Sequence, residues 1–414
     1  MKKGVIYLKK CRICGSSELI KFLDLGSMPI PNGFLKKEDL NKPEKKYELS
    51  CLYCNNCGLA QLSNIVDPDL MFKNYVYIPS MSKVMMENFN NLSYQIYNNF
   101  ELNQNSLVVD IGSNDGSLLS FFKNYRTRVL GIDPAENLAK IAELKGIPTE
   151  IKHFNLKNAR LIRNKYGQAD VITATNVVAH VDNLHDFFKG ISCLLKNDGV
   201  LITEFPYFVE LVRRNEFDTI YHEHVSYFSL LSLMTLLKRH GLEIFDVRRV
   251  ETEGGSIRVY AGHIPLIYKK HLRLKKLYQE EKQLKLDHIG IYRRFSKKPP
   301  VIKNKLLNLL ANIKRNKKKI VGYGASAKGN TLLQYCGINN KTLDYIIDGA
   351  SFKQSKYTPG THIPIHHPDH LKKEVPDYIL LLAWNFGRSI IDKEAWFRSH
   401  GGRFIIPIPS VKIV

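Results

Sequence analysis

Three groups of residues in this chain have the types and spacing to do chemistry. The run Phe217-Asp-Thr-Ile-Tyr221-His222-Glu223-His224-Val-Ser-Tyr227-Phe228 sets four titratable side chains in succession. A phenol, two imidazoles and a carboxyl suit proton transfer near neutral pH, so general acid–base work is one chemistry to expect. On a regular strand Tyr221 and Glu223 share one face and His222 and His224 the other, so serving one site together takes a loop or bend. A surface or core-satisfied polar segment is the competing reading. H-E-x-x-H is absent, and the two histidines are too close for helical zincin geometry.

The second group is Leu107-Val-Val-Asp110-Ile-Gly112-Ser-Asn114-Asp-Gly116-Ser-Leu-Leu119. Three apolar residues give a short buried-strand signal, and Asp110, Gly112 and Gly116 follow at a spacing that lets backbone approach a ligand before a helix starts. Asn114 stands where a dinucleotide fingerprint wants its second glycine, which argues against NAD. Seventeen residues past Gly116, Val129-Leu-Gly-Ile-Asp133-Pro134 ends a second strand in a carboxylate placed to accept hydrogen bonds from a ribose diol. An adenosine-type ligand fits both features, and a βαβ crossover without ligand is the plainer alternative.

Cysteines form the third group. Of seven in the chain, five fall between residues 11 and 57. Cys11-Arg-Ile-Cys14-Gly15 and Cys54-Asn-Asn-Cys57-Gly58 are two C-x-x-C-G units, each able to bend around a metal. Cys51 offers a rival pairing with Cys54, but only the Cys54 and Cys57 pair repeats the glycine of the first knuckle, so Cys51 is the spare. Four thiolates complete a tetrahedral Zn²⁺ site and leave no position for water, which makes the zinc structural.

The elements that must position these groups alternate between strand and helix. A small zinc-binding unit is expected over residues 1–70, in which Phe22-Leu-Asp-Leu-Gly-Ser-Met-Pro-Ile-Pro-Asn32 is a strand and a proline-rich turn packed over the zinc. A helical pattern runs through Met85, Phe89, Leu92, Ile96 and Tyr97. From Leu107 onward strands and helices alternate, which predicts a largely parallel sheet with ligands at the strand C-terminal ends, where Asn176-Val-Val-Ala-His180 follows the strand 169–175. Residues 71–265 make this domain, residues 266–316 a basic helical connector, and residues 317–414 a second Rossmann-like unit. That last unit opens on Lys319-Ile-Val-Gly322-Tyr323-Gly324-Ala-Ser326-Ala-Lys328-Gly329-Asn330, a strand, turn and helix start suited to a phosphate although its spacing is not a Walker loop.

A 414-residue chain with 44% hydrophobic and 24% charged residues is globular and large enough for two or three domains. No apolar run approaches the ~20 residues needed to span a bilayer, and Met1 to Lys10 is too short an apolar stretch for a secretory signal, so a cytoplasmic protein is expected. The net charge of +22 suits anionic ligands in general, but its lysines are scattered as on a solvated surface.

The turn at Asp110 to Gly116 with Asp133 resembles class I S-adenosylmethionine-dependent methyltransferases. Taken in order, the paired knuckles, Val109 to Gly116, Thr175 to His180, Tyr221 to Phe228 and Gly322 to Gly329 resemble the sugar-nucleotide C-methyltransferases over nearly the whole chain. The resemblance implies an α/β fold in which a zinc-binding domain, a class I methyltransferase domain and a Rossmann-like C-terminal domain follow one another. It implies methylation of a ring carbon, commonly C3, beside the ketone of a nucleotide-linked 4-keto-deoxysugar, commonly on dTDP. His224 is then the base, Glu223 and Tyr221 hold substrate or base, His180 is a second candidate near the enolate, and Tyr75 or Tyr77 covers the sugar. Asp110, Gly112, Asn114 and Gly116 border the methionine end of S-adenosylmethionine, Asp133 takes the ribose, Phe154 and Asn155 follow the third-strand position near the adenine, where the usual acid is absent, and Asn176 is a further cofactor-binding candidate at the same sheet edge. Ser326 and Lys328, with Tyr323 and Asn330 beside them, are the choices for the sugar nucleotide. The expected partner is that nucleotide sugar, with no membrane or nucleic acid, on a monomer or homodimer. Two rival readings remain: an O- or N-methyltransferase of a small acceptor, and a zinc-containing nucleic-acid-binding protein. Against the latter, the lysines form no aromatic-interleaved stripe and the cysteines no C2H2 pattern.

Overall fold

The computed structural model describes residues 4–72 and 78–414. Three sheets organise them. The central sheet has seven strands in the order Leu242–Val250, Ser256–His263, Leu195–Pro206, Ala169–Thr175, Leu107–Ile111, Arg128–Ile132 and Thr149–Glu150. The last five run parallel, and the first two add an antiparallel edge. Leu107–Ile111 is buried at every position because helices cover both faces, as its unbroken apolar run demands. Helices Lys83–Asn99 and Ser117–Asn124 share an apolar cluster with one face, through Phe89, Leu92, Leu119 and Phe122.

The N-terminal unit is an antiparallel sheet of Leu19–Met28, Tyr47–Cys54 and Ala60–Leu62, to which Ser226–Tyr227 adds a fourth strand. This edge pairing joins the zinc-bearing unit to the segment just past His224. The buried Arg12 guanidinium strengthens the joint, donating to Ser226 Oγ, to the Val181 carbonyl and, at 2.7 Å, to the Asp182 carbonyl. Desolvation lowers Arg12 to about 10, which leaves it charged at neutral pH.

Helices Leu272–Gln283, Ile289–Ser296 and Lys298–Arg315 fill the connector. They pack into the core: Tyr292 is wholly buried and its hydroxyl donates to the Gly58 carbonyl at 3.0 Å and the Leu286 carbonyl at 2.8 Å. The third sheet orders Ile365–His366, Ile346–Ile347, Ile320–Tyr323, Tyr378–Leu381 and Arg403–Ile406 in parallel and ends on antiparallel Lys412–Ile413. Glu44 ties it to the first unit, accepting from Gly360 N at 2.9 Å and lying 2.7 Å from His362 Nε2. Among the described residues, no helix is long and apolar enough to cross a membrane.

Candidate active site

One cavity of about 1120 Å³ opens where the three sheets meet, and most of the chemistry-bearing residues line it. Its floor is the C-terminal edge of the parallel sheet. The chain leaves Leu107–Ile111 through Gly112, whose φ of +68° only glycine adopts easily and whose added Cβ would lie 2.4 Å from Val177 Cγ2. Asn114 continues the turn at φ +53°. Asp133 clamps it from the next strand, accepting from Asn114 N through Oδ2 and from Ala135 N through Oδ1, both at 2.8 Å. Asp110 accepts from Thr173 Oγ1 at 2.6 Å. Burial, helped by the charge of Asp133, raises Asp110 to about 7, and burial also raises Asp133. A site of this kind suits a cation, which would restore both carboxylates to their ionised form. Ser113 Oγ and Asn176 Oδ1 line the cavity buried and unpartnered, so the turn keeps polar capacity for a ligand.

The structure places some expected cofactor residues differently. Gly116 lies off the cavity: an added Cβ would meet Ala142 Cβ at 3.0 Å and Ile147 Cγ1 at 3.1 Å, so this glycine serves close helix packing. Phe154 and Asn155 line the cavity, but the Asn155 carboxamide oxygen caps helix Leu156–Tyr166 by accepting from Asn158 N at 2.8 Å. Phe154 stands edge-on to Phe187 at 5.4 Å.

The Tyr221 to His224 run is a turn, closed by His224 N donating to the Tyr221 carbonyl at 2.9 Å. The bend brings Tyr221, Glu223 and His224 to the cavity and sends His222 back toward the zinc-bearing sheet, where its Nε2 lies 3.2 Å from the Tyr47 carbonyl. His224 Nδ1 lies 2.9 Å from the Thr219 carbonyl. A carbonyl only accepts, so Nδ1 carries the proton and Nε2 the lone pair, which accepts from the Tyr221 hydroxyl at 2.8 Å. Burial holds His224 well below its ordinary value, with the charge of a protonated His180 acting in the same direction, so it is neutral at pH 7. The His180 ring stands 4.8 Å away, and burial lowers it to about 4. Glu223 accepts from Asn32 Nδ2 at 2.7 Å, and burial raises its carboxyl to about 7. Tyr75 and Tyr77 lie outside the described residues.

In the C-terminal unit Ser326 caps helix Ala327–Cys336, its hydroxyl accepting from Gly329 N at 3.1 Å. Lys328 is buried over the Trp384 ring, 5.6 Å from its centroid, with Nζ donating to the Glu253 carbonyl at 2.5 Å. Tyr323 donates to Glu394 Oε1 at 3.0 Å; Ser326, Lys328 and Tyr323 all line the cavity. Asn330 does not reach the lining, because its amide turns to the Pro31 carbonyl at 2.7 Å. Charge divides the cavity. The zinc-bearing and methyltransferase units bring Asp67, Asp69, Asp110, Asp133, Asp182, Asp186, Glu223 and Glu253 against Lys83 and Lys152, whereas the C-terminal unit brings Lys328, which pairs with Glu253 at 3.4 Å, Lys353 and Lys393 against Asp348.

Away from the cavity, Cys11, Cys14, Cys54 and Cys57 converge with all four sulfurs within 4.8 Å of one another. Cys11 Sγ lies 3.5 Å from Cys57 Sγ, and Cys14 Sγ 3.5 Å from Cys54 Sγ. A tetrahedron with Zn–S bonds of about 2.3 Å has edges of about 3.8 Å, so this cluster fits Zn²⁺ with four protein ligands. Cys51 is buried within Tyr47–Cys54, outside the cluster.

Family models agree with this layout. A model described for zinc binding matches residues 11–72, a methyltransferase domain matches 81–247, and a C-methyltransferase C-terminal domain matches 251–409. The chain is 35% identical over 407 residues to C-methyltransferase NovU of Streptomyces niveus, covering 98% of this chain and 97% of the relative. It belongs to the C-methyltransferase family. This C-methyltransferase is thus an S-adenosylmethionine-dependent enzyme with a structural zinc site, and the Asp110 to Asp133 turn and the four-cysteine cluster fit those two groups. Among solved structures, magnesium protoporphyrin IX methyltransferase from Synechocystis PCC 6803 is 16% identical, matching 42% of this chain and 78% of its own at a TM-score of 0.33. An S-adenosylmethionine-dependent methyltransferase from Clostridium acetobutylicum is also 16% identical, matching 43% and 92% at a TM-score of 0.35.

Several lining residues of the C-methyltransferase carried no sequence signal. Asn32 follows a proline-rich turn and meets Glu223, 191 positions later. Lys353 is one of many scattered lysines. Asp348 is the exception: the run Leu343-Asp-Tyr-Ile-Ile-Asp348 ends in an acid as the Asp133 strand does, and that repeat is legible in the sequence.

Proposed function

We propose that this C-methyltransferase methylates a ring carbon, C3, next to the ketone of a nucleotide-linked 4-keto-6-deoxyhexose. What supports the reading is the shared cavity: the Tyr221–His224 pair opens onto the same space as the Asp110–Asp133 turn and the Ser326–Lys328 helix start. A sugar carbon becomes nucleophilic only after loss of its acidic proton beside a ketone, so the site needs a base and a donor for the enolate oxygen. When bound, S-adenosylmethionine supplies an electrophilic methyl whose C–S bonding pair remains with sulfur.

His224 has the lone pair on Nε2, and the Tyr221 hydroxyl is hydrogen-bonded to that nitrogen. The proton therefore passes to His224 either directly, after Tyr221 swings aside, or through Tyr221, whose own proton moves to Nε2 as its oxygen takes the one from C3. His180 or Glu223 in its neutral form donates to the enolate oxygen. The new C–C bond takes the enolate pair, and the imidazolium returns its proton to solvent. The lysine-rich C-terminal side of the cavity receives the diphosphate, with backbone N–H groups at the start of helix Ala327–Cys336. The relative named NovU and the order of matching domains are consistent with this acceptor class. A reducing cytoplasm, where thiolates remain available for zinc, is the compartment inferred.

The test is deuterium wash-in at C3 of dTDP-4-keto-6-deoxyhexoses with S-adenosylhomocysteine bound, so that methyl transfer cannot follow. Exchange is expected with the wild type and about 10²–10⁴-fold less with His224→Ala, while S-adenosylmethionine binding persists. Absence of exchange, together with methylation of the C4-reduced sugar, would transfer the reading to a heteroatom acceptor.

A further inference from the structure

The zinc-bearing unit reaches Glu223 through the side chain of Asn32. Asn32 lies at the end of Pro29-Ile-Pro31-Asn32, lines the cavity, and donates from Nδ2 to Glu223 Oε1 at 2.7 Å. Glu223 is 2% exposed, and burial alone would favour its neutral form. The turn that carries Asn32 is itself held from the third unit. Buried Asn330 donates to the Pro31 carbonyl at 2.7 Å, and Gly360 leaves only 3.2 Å between an added Cβ and Pro29 Cδ. Asn330 sits one helical turn past Ser326, its N–H donating to the Ser326 carbonyl at 2.9 Å. A continuous path of bonds therefore runs from the start of helix Ala327–Cys336 through Asn330, Pro31 and Asn32 to Glu223.

We propose that Asn32 is a positioning residue for Glu223: its amide fixes one carboxyl oxygen and stabilises the carboxylate, and Asn330 sets where that amide stands. The proposal rests on Glu223 belonging to the catalytic site described above. An N–H donated to a carboxyl favours the ionised form, so Asn32 opposes the burial that raises Glu223. The titratable and charged groups around Glu223 are Tyr221, His222 and His224 on its own turn and His180 from the loop after Ala169–Thr175. Tyr47 in the zinc-bearing sheet meets His222 on the same turn, and Asp69, Glu253, Tyr323 and Lys328 line the same cavity. The three histidines are held neutral by burial near pH 7, so they add little charge as Glu223 titrates. Asn32 is then the group that tunes this carboxyl from the zinc-bearing unit, and it does so without touching the reacting carbon.

The experiment is an infrared titration of the buried carboxyl band in the zinc-loaded full chain, with the Glu223 band assigned by difference against Glu223→Gln. It needs no sugar, so it stands or falls apart from the deuterium exchange. The wild-type midpoint is expected near 7. Asn32→Ala should move it up by about one pH unit, and Asn32→Asp, which puts a like charge at the same place, by about two. Asn330→Ala should move it the same way by less, and this variant keeps the question open to test should Asn32 variants fold poorly. Where turnover can be followed, the pH profile of kcat should move with the midpoint while KM for S-adenosylmethionine stays within twofold. An unchanged midpoint in folded Asn32→Ala, or equal shifts for Ala and Asp, would overturn the proposal. So would an unmoved midpoint in Asn330→Ala for the part of the path it carries.

Discussion

The two Rossmann-like units use the same turn to different ends. In the first, Gly112 N donates to the Ile132 carbonyl at 2.8 Å and Asp133 clamps Asn114 N and Ala135 N. In the second, Gly324 N donates to the Ile347 carbonyl at 2.8 Å, and Asp348 accepts from Ala325 N and Ala350 N, each at 2.8 Å. The backbone device is repeated, with the acid bonding the second N–H past the glycine in the first unit and the first N–H past it in the second. What differs is the neighbour: Asp348 is paired with Lys353 Nζ at 3.1 Å, whereas Asp133 is buried beside a second acid, Asp110. We infer that the shared turn leaves the choice of ligand to the local charge. An acidic pair favours a cation, and a lysine-rimmed turn favours an anion.

The sharpest way to break this comparison is to remove each acid in turn. Asp133→Ala should weaken S-adenosylmethionine binding about 100-fold, or about 2.7 kcal/mol, in calorimetry. Asp348→Ala should leave that affinity within twofold. Equal losses from the two variants would mean that the units are not functionally distinct. The glycines test the shared part. Gly112 and Gly324 both have positive φ, at +68° and +87°, and an added Cβ would meet Val177 Cγ2 at 2.4 Å or Ala383 Cβ at 2.7 Å. Gly112→Ala and Gly324→Ala should each cost about 1–3 kcal/mol in denaturant unfolding. Gly349→Ala, with nothing within 4 Å of the added Cβ, should cost far less. A smaller effect is expected at the neighbour that distinguishes the units. Lys353→Met should weaken dTDP binding about tenfold and flatten its salt dependence, with S-adenosylmethionine affinity unchanged. If Lys353→Met leaves dTDP affinity alone, the charge division of the cavity does not sort its ligands.

The shared device was legible in the sequence because it is local. Leu107–Ile111, the glycine turn and Asp133 lie within 27 positions, and the apolar runs, glycines and terminal acid each report their own backbone state. The strand Ala169–Thr175 and the four zinc cysteines were readable for the same reason. The Tyr221 to His224 run gave its chemistry but not its shape. Period-two alternation would split its side chains between faces, whereas a turn closed by His224 N on the Tyr221 carbonyl unites three of them and leaves His222 against the zinc-bearing sheet. Gly116 and Asn330 carried the same residue-type signal as true lining positions, yet they serve helix packing and a contact between units. Asn32 and Lys353 were invisible, since an asparagine after prolines and a lysine among many say nothing of a partner far along the chain.

The last and smallest effect asks whether Asp110 takes part in the cation's site. Burial raises its carboxyl to about 7, with the nearby charge of Asp133 adding to the rise and the Thr173 hydroxyl opposing it. S-adenosylmethionine carries a net positive charge, so binding favours ionised Asp110 and lowers its pKa in the complex. Below pH 7 the free protein holds a proton that the complex must release, so affinity should fall by about fivefold between pH 7.5 and pH 6. Stability of the free protein moves the other way. A carboxyl whose folded value exceeds its unfolded value near 4 contributes stability at low pH that is lost as pH rises through 7, and Glu223 and Asp218, both raised to about 7, add to that trend. Stability therefore reports these acids together with Glu216, raised to about 8, whereas the affinity slope reports on the acids beside the cation. Asp110→Asn should abolish the slope in calorimetric titrations at the two pH values; an unchanged slope in that variant would place the cation elsewhere and leave Asp133 as the carboxylate that matters.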